Sequence, residues 1–130
     1  MGSLSSPAVM ARVVVVDDDD YVREVTEMAL AGTGHSVRAT AKGLEALRWL
    51  EEQPWDLLIL DLRMPETDGP TLYREVLARW PTAASRVLFV SGLAEMQHDD
   101  TVKTLNVPVL LKPFTLDALR AAVTRVLATR

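Results

Sequence analysis

Four short runs of apolar residues recur along this chain, and each ends at a polar residue equipped for chemistry. Residues 13–16, all valine, run into Asp17 and Asp18. Residues 57–60 run into Asp61, 87–90 into Ser91, and 109–111 into Lys112. Runs this short and this uniformly apolar suit strands covered on both faces, as in a parallel sheet packed between helices. In an open parallel α/β sheet the carboxyl ends of adjacent strands form one crevice, and ligands bind there. The pattern therefore predicts three carboxylates, a hydroxyl and an ammonium at one edge. That is the equipment for holding a divalent cation and moving a phosphoryl group onto a carboxylate.

The segments between these runs read as helices, which favours a parallel sheet with helices on both faces. Residues 20–31 carry Val22, Val25, Met28 and Ala29 on one helical face, and Gly32, Thr33 and Gly34 break the pattern. A short alternating strand is expected over 36–40. Residues 42–52 carry Leu44, Leu47 and Leu50 at helical spacing, with Pro54 as a stop. Residues 56–60 read as the central strand. Turn formers crowd 63–70, a helix over 71–80 closes at Pro81, and 86–90 form the fourth strand. The weakest helix is 94–105, where only Met96, Val102 and Leu105 are apolar among His98, Asp99, Asp100 and Lys103; it is expected to be short or mobile. After the fifth strand, Thr115 caps a final helix with Leu116, Leu119, Val123, Val126 and Leu127 inward. The expectation is one α/β domain over 11–130, with five strands, five helices and no internal repeat.

Composition narrows the chemistry. With 130 residues, 48% hydrophobic and 25% charged, the chain is long enough for one substantial core. It has no cysteine, which removes disulfides, thiolate zinc sites and thiol catalysis, and is compatible with a reducing cytoplasm, the expected location. A net charge of -4 argues against a surface built for nucleic acid. No apolar run approaches the ~20 residues of a membrane span, so no membrane insertion is expected. The start, 1–7, lacks the basic and apolar regions of a signal peptide. Residues 1–10 read as a linker or cloning remnant, with Met10 equally a native start.

Taken singly, each candidate residue also has an ordinary structural reading. Adjacent carboxylates such as Asp17 and Asp18 repel, and a bound cation relieves them, with Mg²⁺ suiting so sparse an oxygen site. The same run also fits a solvated turn supplying negative charge to a helix N-terminus, the better reading for Asp19 and Asp20. Asp61 is a carboxylate able to accept a phosphoryl group, or a turn or cap residue. Lys112 can reach a phosphoryl oxygen as a point charge, or extend to solvent at the sheet edge. With Pro113 and Phe114 it fits a tight turn, for which a cis peptide bond is an option. Ser91 would need a histidine base to act as a hydrolase nucleophile. His35 is expected at the opposite end of the sheet and His98 in the weak helix, so no triad or metal pair is expected. Trp49, Trp55, Trp80, Phe89 and Phe114 are too scattered for a stacking surface and read as core or rim, as do Met64 and Met96.

Together these residues resemble the receiver domain of two-component response regulators. The resemblance spans about residues 11–128. It rests on Val-Val-Asp-Asp-Asp at 15–19, Val22-Arg23-Glu24, Gly34-His35, Gly43-Leu44-Glu45-Ala46-Leu47, Leu60-Asp61-Leu62-Arg63-Met64-Pro65, Asp68-Gly69, Val90-Ser91-Gly92 and Lys112-Pro113-Phe114. It implies a flavodoxin-like (CheY-like) five-stranded parallel sheet of order 2-1-3-4-5 flanked by five helices. It implies Asp61 as phosphoacceptor from a phosphohistidine, with Mg²⁺ or Mn²⁺ on Asp18 and Asp61. Asp17 would bind partly through water, and the Arg63 carbonyl would complete the site. Lys112 and Ser91 would hold phosphoryl oxygens, with Ser91 moving towards them.

The implied partners are a sensor histidine kinase or a histidine phosphotransfer domain, and an output domain or target protein. The family often couples the hydroxyl to an aromatic in the fifth strand, where this chain has Val109. Signalling would then run through Ser91, the loop after it and 94–105. Thr67 stands where a second methionine is frequent, and Arg63 and Leu93 flank the path of a hydrolytic water. The stretch 87–92 and Val107-Pro108 are similar to receivers of hybrid histidine kinases. The competing reading is a receiver-like interaction module that works without phosphate, against which the complete acidic site argues. A carboxylate-nucleophile phosphatase would want Asp-x-Asp, whereas Leu62 and Arg63 follow Asp61.

Overall fold

The computed structural model describes residues 11–63, 69–92 and 107–129. Five parallel strands alternate with helices: β1 (Arg12–Val16), α1 (Asp20–Ala31), β2 (Ser36–Thr40), α2 (Gly43–Glu52), β3 (Leu57–Asp61), α3 (Gly69–Arg79), a 3-10 turn (Ala83–Arg86), β4 (Val87–Gly92), β5 (Val109–Lys112) and α4 (Leu116–Thr129). The strands lie in the order β2-β1-β3-β4-β5, as the family resemblance implies. Four α-helices lie among the described residues, and the helix expected over 94–105 lies outside them.

Alternate strand residues point to opposite faces, and both faces are apolar because both are covered. Val14, Val16, Leu58, Leu60 and Phe89 pack against Leu47 and Leu50 of α2 and Leu72, Tyr73 and Val76 of α3. Val13, Val15, Leu57, Ile59 and Val90 pack on the other face against Ala29 and Leu30 of α1 and Leu119, Val123 and Val126 of α4. Every residue of β3 is buried, as its central position requires. Trp55 and Phe89 belong to the core, and Trp49, Trp80 and Phe114 pack at its rim.

The helix faces depart from the sequence pattern in three places. In α1 the buried residues are Thr26, Ala29 and Leu30, whereas Met28 is 72% exposed. In α2, Gly43, Ala46, Leu47 and Leu50 are buried, whereas Leu44 is 78% exposed. In α4, Leu116 is 40% exposed and Ala122 takes its place inside. Small residues let these helices lie close to the sheet, and the larger apolar side chains one step round the helix turn out to the rim. Two boundaries shift by two residues, and several others by one: α3 starts at Gly69 rather than 71, and β4 reaches Gly92 rather than 90. Gly34, at φ 88°, makes the left-handed turn out of α1 that favours glycine.

The strand order reverses between β1 and β3: the chain leaves β1 towards β2 on one side and returns to β3 on the other. That reversal opens a crevice at their carboxyl ends. Asp17 follows β1, and Asp61 ends β3.

Candidate functional site

The crevice collects most of the residues singled out from the sequence. Asp17 extends the β1 ladder by one bond, its N–H donating to the Thr40 carbonyl at 3.1 Å. It is only 2% exposed. Its carboxylate accepts from the Asp19 N–H at 2.9 Å and pairs with Lys112 Nζ at 3.1 Å. Asp18 is exposed. Asp19 caps α1, its Oδ1 accepting from the N–H groups of Tyr21 (2.9 Å) and Val22 (3.3 Å). Asp20 pairs with Arg23 one turn on. The structural reading of these last two carboxylates holds.

Asp61 is the final residue of the central strand and is 4% exposed. Its Oδ1 accepts from the Arg63 N–H at 3.3 Å, and its Oδ2 lies 3.5 Å from Lys112 Nζ. Lys112 ends β5 and is followed by a cis peptide bond to Pro113. Its ammonium thus bridges the carboxylates at the ends of β1 and β3. Ser91 lies in β4, one residue beyond the Asp61–Val90 pair, is 1% exposed, and donates its hydroxyl to the Gly92 carbonyl at 3.1 Å. His35 lies at the opposite end of the sheet, its Nδ1 accepting from the Ala11 N–H at 3.3 Å. Met64, Thr67, Leu93, Met96 and His98 lie outside the described residues.

Burial raises the Asp61 pKa to about 7, and the neighbouring Asp17 carboxylate and the Asp18 hydrogen bond push in the same direction. Lys112 and the Arg63 amide oppose this without cancelling it. Burial works against the charge on Lys112, but Asp17 and Asp61 outweigh it and raise its pKa. One ammonium therefore faces three carboxylates. Asp17, Asp18 and Asp61 each offer an oxygen within 4.8 Å of the others. Hard oxygen donors carrying surplus negative charge fit a hard divalent cation such as Mg²⁺.

Three supporting residues were not legible as such in the sequence. Thr40 receives the Asp17 N–H, and its hydroxyl donates to Glu45. Arg23 reaches back from α1 to the Asp17 carbonyl at 2.7 Å. Gly69 packs where a Cβ would lie 2.5 Å from the Asp61 carbonyl oxygen and 2.8 Å from the Leu62 Cα. Their roles come from chain segments folding back on the strand ends, which no local pattern encodes. Beside Lys112, a cavity of about 550 Å³ runs between the start of α1 and the turn before α4, lined among others by Tyr21, Val25, Pro113 and Leu116.

Comparison with known proteins agrees with this geometry. Residues 13–124 match the response regulator receiver domain family. The sensor kinase CckA of Brucella abortus is 38% identical over 123 residues, which are 90% of this chain but 12% of CckA. The transcriptional regulatory protein ZraR of Escherichia coli is 32% identical over 117 residues, 89% of this chain and 26% of ZraR. The response regulator receiver protein CpdR of Brucella abortus is 32% identical over 108 residues, 82% of this chain and 88% of CpdR. The chain thus spans a small part of CckA and ZraR but most of CpdR. Among solved structures, the chemotaxis response regulator CheY4 of Vibrio cholerae matches 91% of this chain and 99% of its own, with a TM-score of 0.81 and 26% identity. A response regulator from Chloroflexus aurantiacus matches 92% of this chain and 98% of its own, with a TM-score of 0.82 and 32% identity. With the acidic crevice, the strand order and the family match in agreement, this chain belongs to the response regulator receiver domains, the phosphoacceptor modules of two-component signalling.

Proposed function

We propose that Asp61 accepts a phosphoryl group from the phosphohistidine of a sensor kinase or phosphotransfer protein. The phosphorus–nitrogen bond breaks as a phosphorus–oxygen bond forms to the Asp61 carboxylate. The electron pair goes to the departing imidazole, which takes up a proton from solvent. Lys112 holds a phosphoryl oxygen as a point charge, and the Ser91 hydroxyl, released from the Gly92 carbonyl, binds another. Asp17, Asp18 and Asp61 would hold Mg²⁺ or Mn²⁺ together with the Arg63 carbonyl. Bound there, the ion supplies the positive charge that keeps Asp61 ionised and screens it from the incoming phosphoryl oxygens.

The observation carrying this reading is the placement of Asp61: 4% exposed, at the end of the central strand, with Lys112 Nζ at 3.5 Å. A buried carboxylate of pKa about 7 is a poor nucleophile until its charge is stabilised, which makes the reaction depend on the surrounding cations. The partner approaches the carboxyl edge of the sheet, where Tyr21 and Leu116 present apolar surface beside the cavity. Among the described residues no helix is long and apolar enough to cross a membrane.

The test is intact-protein mass spectrometry after incubation with acetyl phosphate and Mg²⁺, beside Asp61→Asn and an EDTA control. One added phosphoryl group that requires both Asp61 and the metal is expected. No adduct with any donor or divalent ion would leave an interaction module that works without phosphate.

A further inference from the structure

The geometry points to Arg23 as a positioning residue for the acidic pair, acting through the main-chain carbonyl of Asp17; the inference rests on reading the cluster as a metal site. Asp17 and Asp18 hang from one peptide unit. That unit is planar, so a rotation about one of its flanking bonds that the other does not compensate changes the angle between the two carboxylates. Its carbonyl oxygen belongs to Asp17, which is 2% exposed and out of reach of bulk water. Arg23 Nη1 donates to that oxygen at 2.7 Å from six residues along the chain.

The rest of the turn is held from other directions. The Asp17 N–H is tied to Thr40, and the Asp17 carboxylate is tied to the Asp19 N–H and to Lys112. Among the described residues, only the Arg23 contact engages the peptide joining Asp17 to Asp18. Its guanidinium is forked, so it pairs with Asp20 on the helix while holding the strand-end carbonyl. The side chain is 20% exposed, in keeping with a residue lying between α1 and the end of β1. Removing the donor leaves a buried carbonyl unpaired, and the turn relieves that by rotating the peptide towards solvent. The acidic pair then loses the arrangement in which three carboxylates converge.

The experiment uses the full chain and two readouts. The first is Mg²⁺ affinity by calorimetry for the parent, Arg23→Met, Arg23→Lys and Asp20→Asn. Arg23→Met is expected to bind Mg²⁺ about tenfold more weakly, the usual scale for residues that orient metal ligands. Arg23→Lys, which reaches the carbonyl with a single point donor, should fall between it and the parent. Asp20→Asn, which removes the ion pair and leaves the carbonyl contact, should bind like the parent. The second readout is amide hydrogen exchange without metal. In Arg23→Met the Asp17 and Asp19 amides should lose protection while those of 58–60 keep theirs.

The inference is overturned if folded Arg23→Met binds Mg²⁺ like the parent, if Asp20→Asn is as damaging, or if protection falls uniformly. Should Arg23→Met not fold, Arg23→Gln takes its place, since its shorter amide does not span to the carbonyl. A parent protein that fails to bind Mg²⁺ would overturn the metal reading instead, and the exchange data would still judge the positioning role.

Discussion

Asp61 shows how far one carboxylate can be turned by its surroundings. Its pKa of about 7 in the folded chain lies above the ordinary carboxyl value of 3.8, so between those pH values the folded form keeps a proton that the unfolded form releases. The stability associated with that proton is fully present below about pH 4 and is lost as pH rises through about 7. Metal-free protein should therefore weaken over this window. Asp61→Asn should remove that part of the slope and be more stable above pH 7 by on the order of 2 kcal/mol. Urea unfolding in EDTA across the range, parent beside variant, checks this; parallel profiles would refute it. Lys112 is the counterweight, lying 3.1 Å from Asp17 and 3.5 Å from Asp61. Lys112→Met should slow phosphorylation by acetyl phosphate at least about tenfold, the loss of a positioned charge at a reacting centre. A rate equal to the parent's would remove Lys112 from the proposed chemistry. Asp17, Asp61 and Lys112 were legible in the sequence because each terminates an apolar run. Arg23 and Gly69 were not, because what each touches depends on where a helix folds back.

Each helix turns its smaller residues, as much as its larger ones, towards the sheet. Leu44 and Leu47 share a sequence pattern, yet Leu44 is 78% and Leu47 6% exposed. Leu47→Ala should cost about 2–4 kcal/mol through the cavity it leaves. Leu44→Ala should stay within about 0.5 kcal/mol. Chemical denaturation of both variants tests the assignment, and equal losses would contradict it. At the start of α3, a methyl group on Gly69 would meet main-chain atoms of Asp61 and Leu62, which cannot swing aside as a side chain can. Gly69→Ala should therefore destabilise by about 1–3 kcal/mol and lower Mg²⁺ affinity together, because it displaces the residue that ends β3. Stability lost with affinity unchanged would place the strain away from the site. The existence of these elements was legible from the period of their apolar residues. Their rotation was not, since periodicity alone does not say which side of an apolar stripe approaches the sheet most closely.

Across the whole molecule, the site is a seam between β1, β3 and β5, and ligand binding there draws on the stability of the fold. Mg²⁺ binding only to the folded chain should raise the melting temperature, by the equivalent of about 1 kcal/mol at several times the dissociation constant. The rise should vanish in Asp17→Asn, and a Mg²⁺-independent melting curve for the parent would argue against the metal reading. The sequence by itself determined the class of this protein: four apolar runs and one alternating run of strand length, helical spacing between them, and acidic, hydroxyl and ammonium groups at the strand ends. Those features are local, and burial on both faces imposes them directly on residue type. Only the tertiary structure decided how the groups meet. Lys112 faces Asp17 across 95 positions of sequence. It does so because β1 and β3 are neighbours and β5 follows β4 at the sheet edge. Burial at that convergence shifts the Asp61 pKa, and the return of α1 over the end of β1 places Arg23 on the Asp17 carbonyl. Distances between remote residues and the dielectric around them are properties of the packed chain, and no stretch of sequence carries either one.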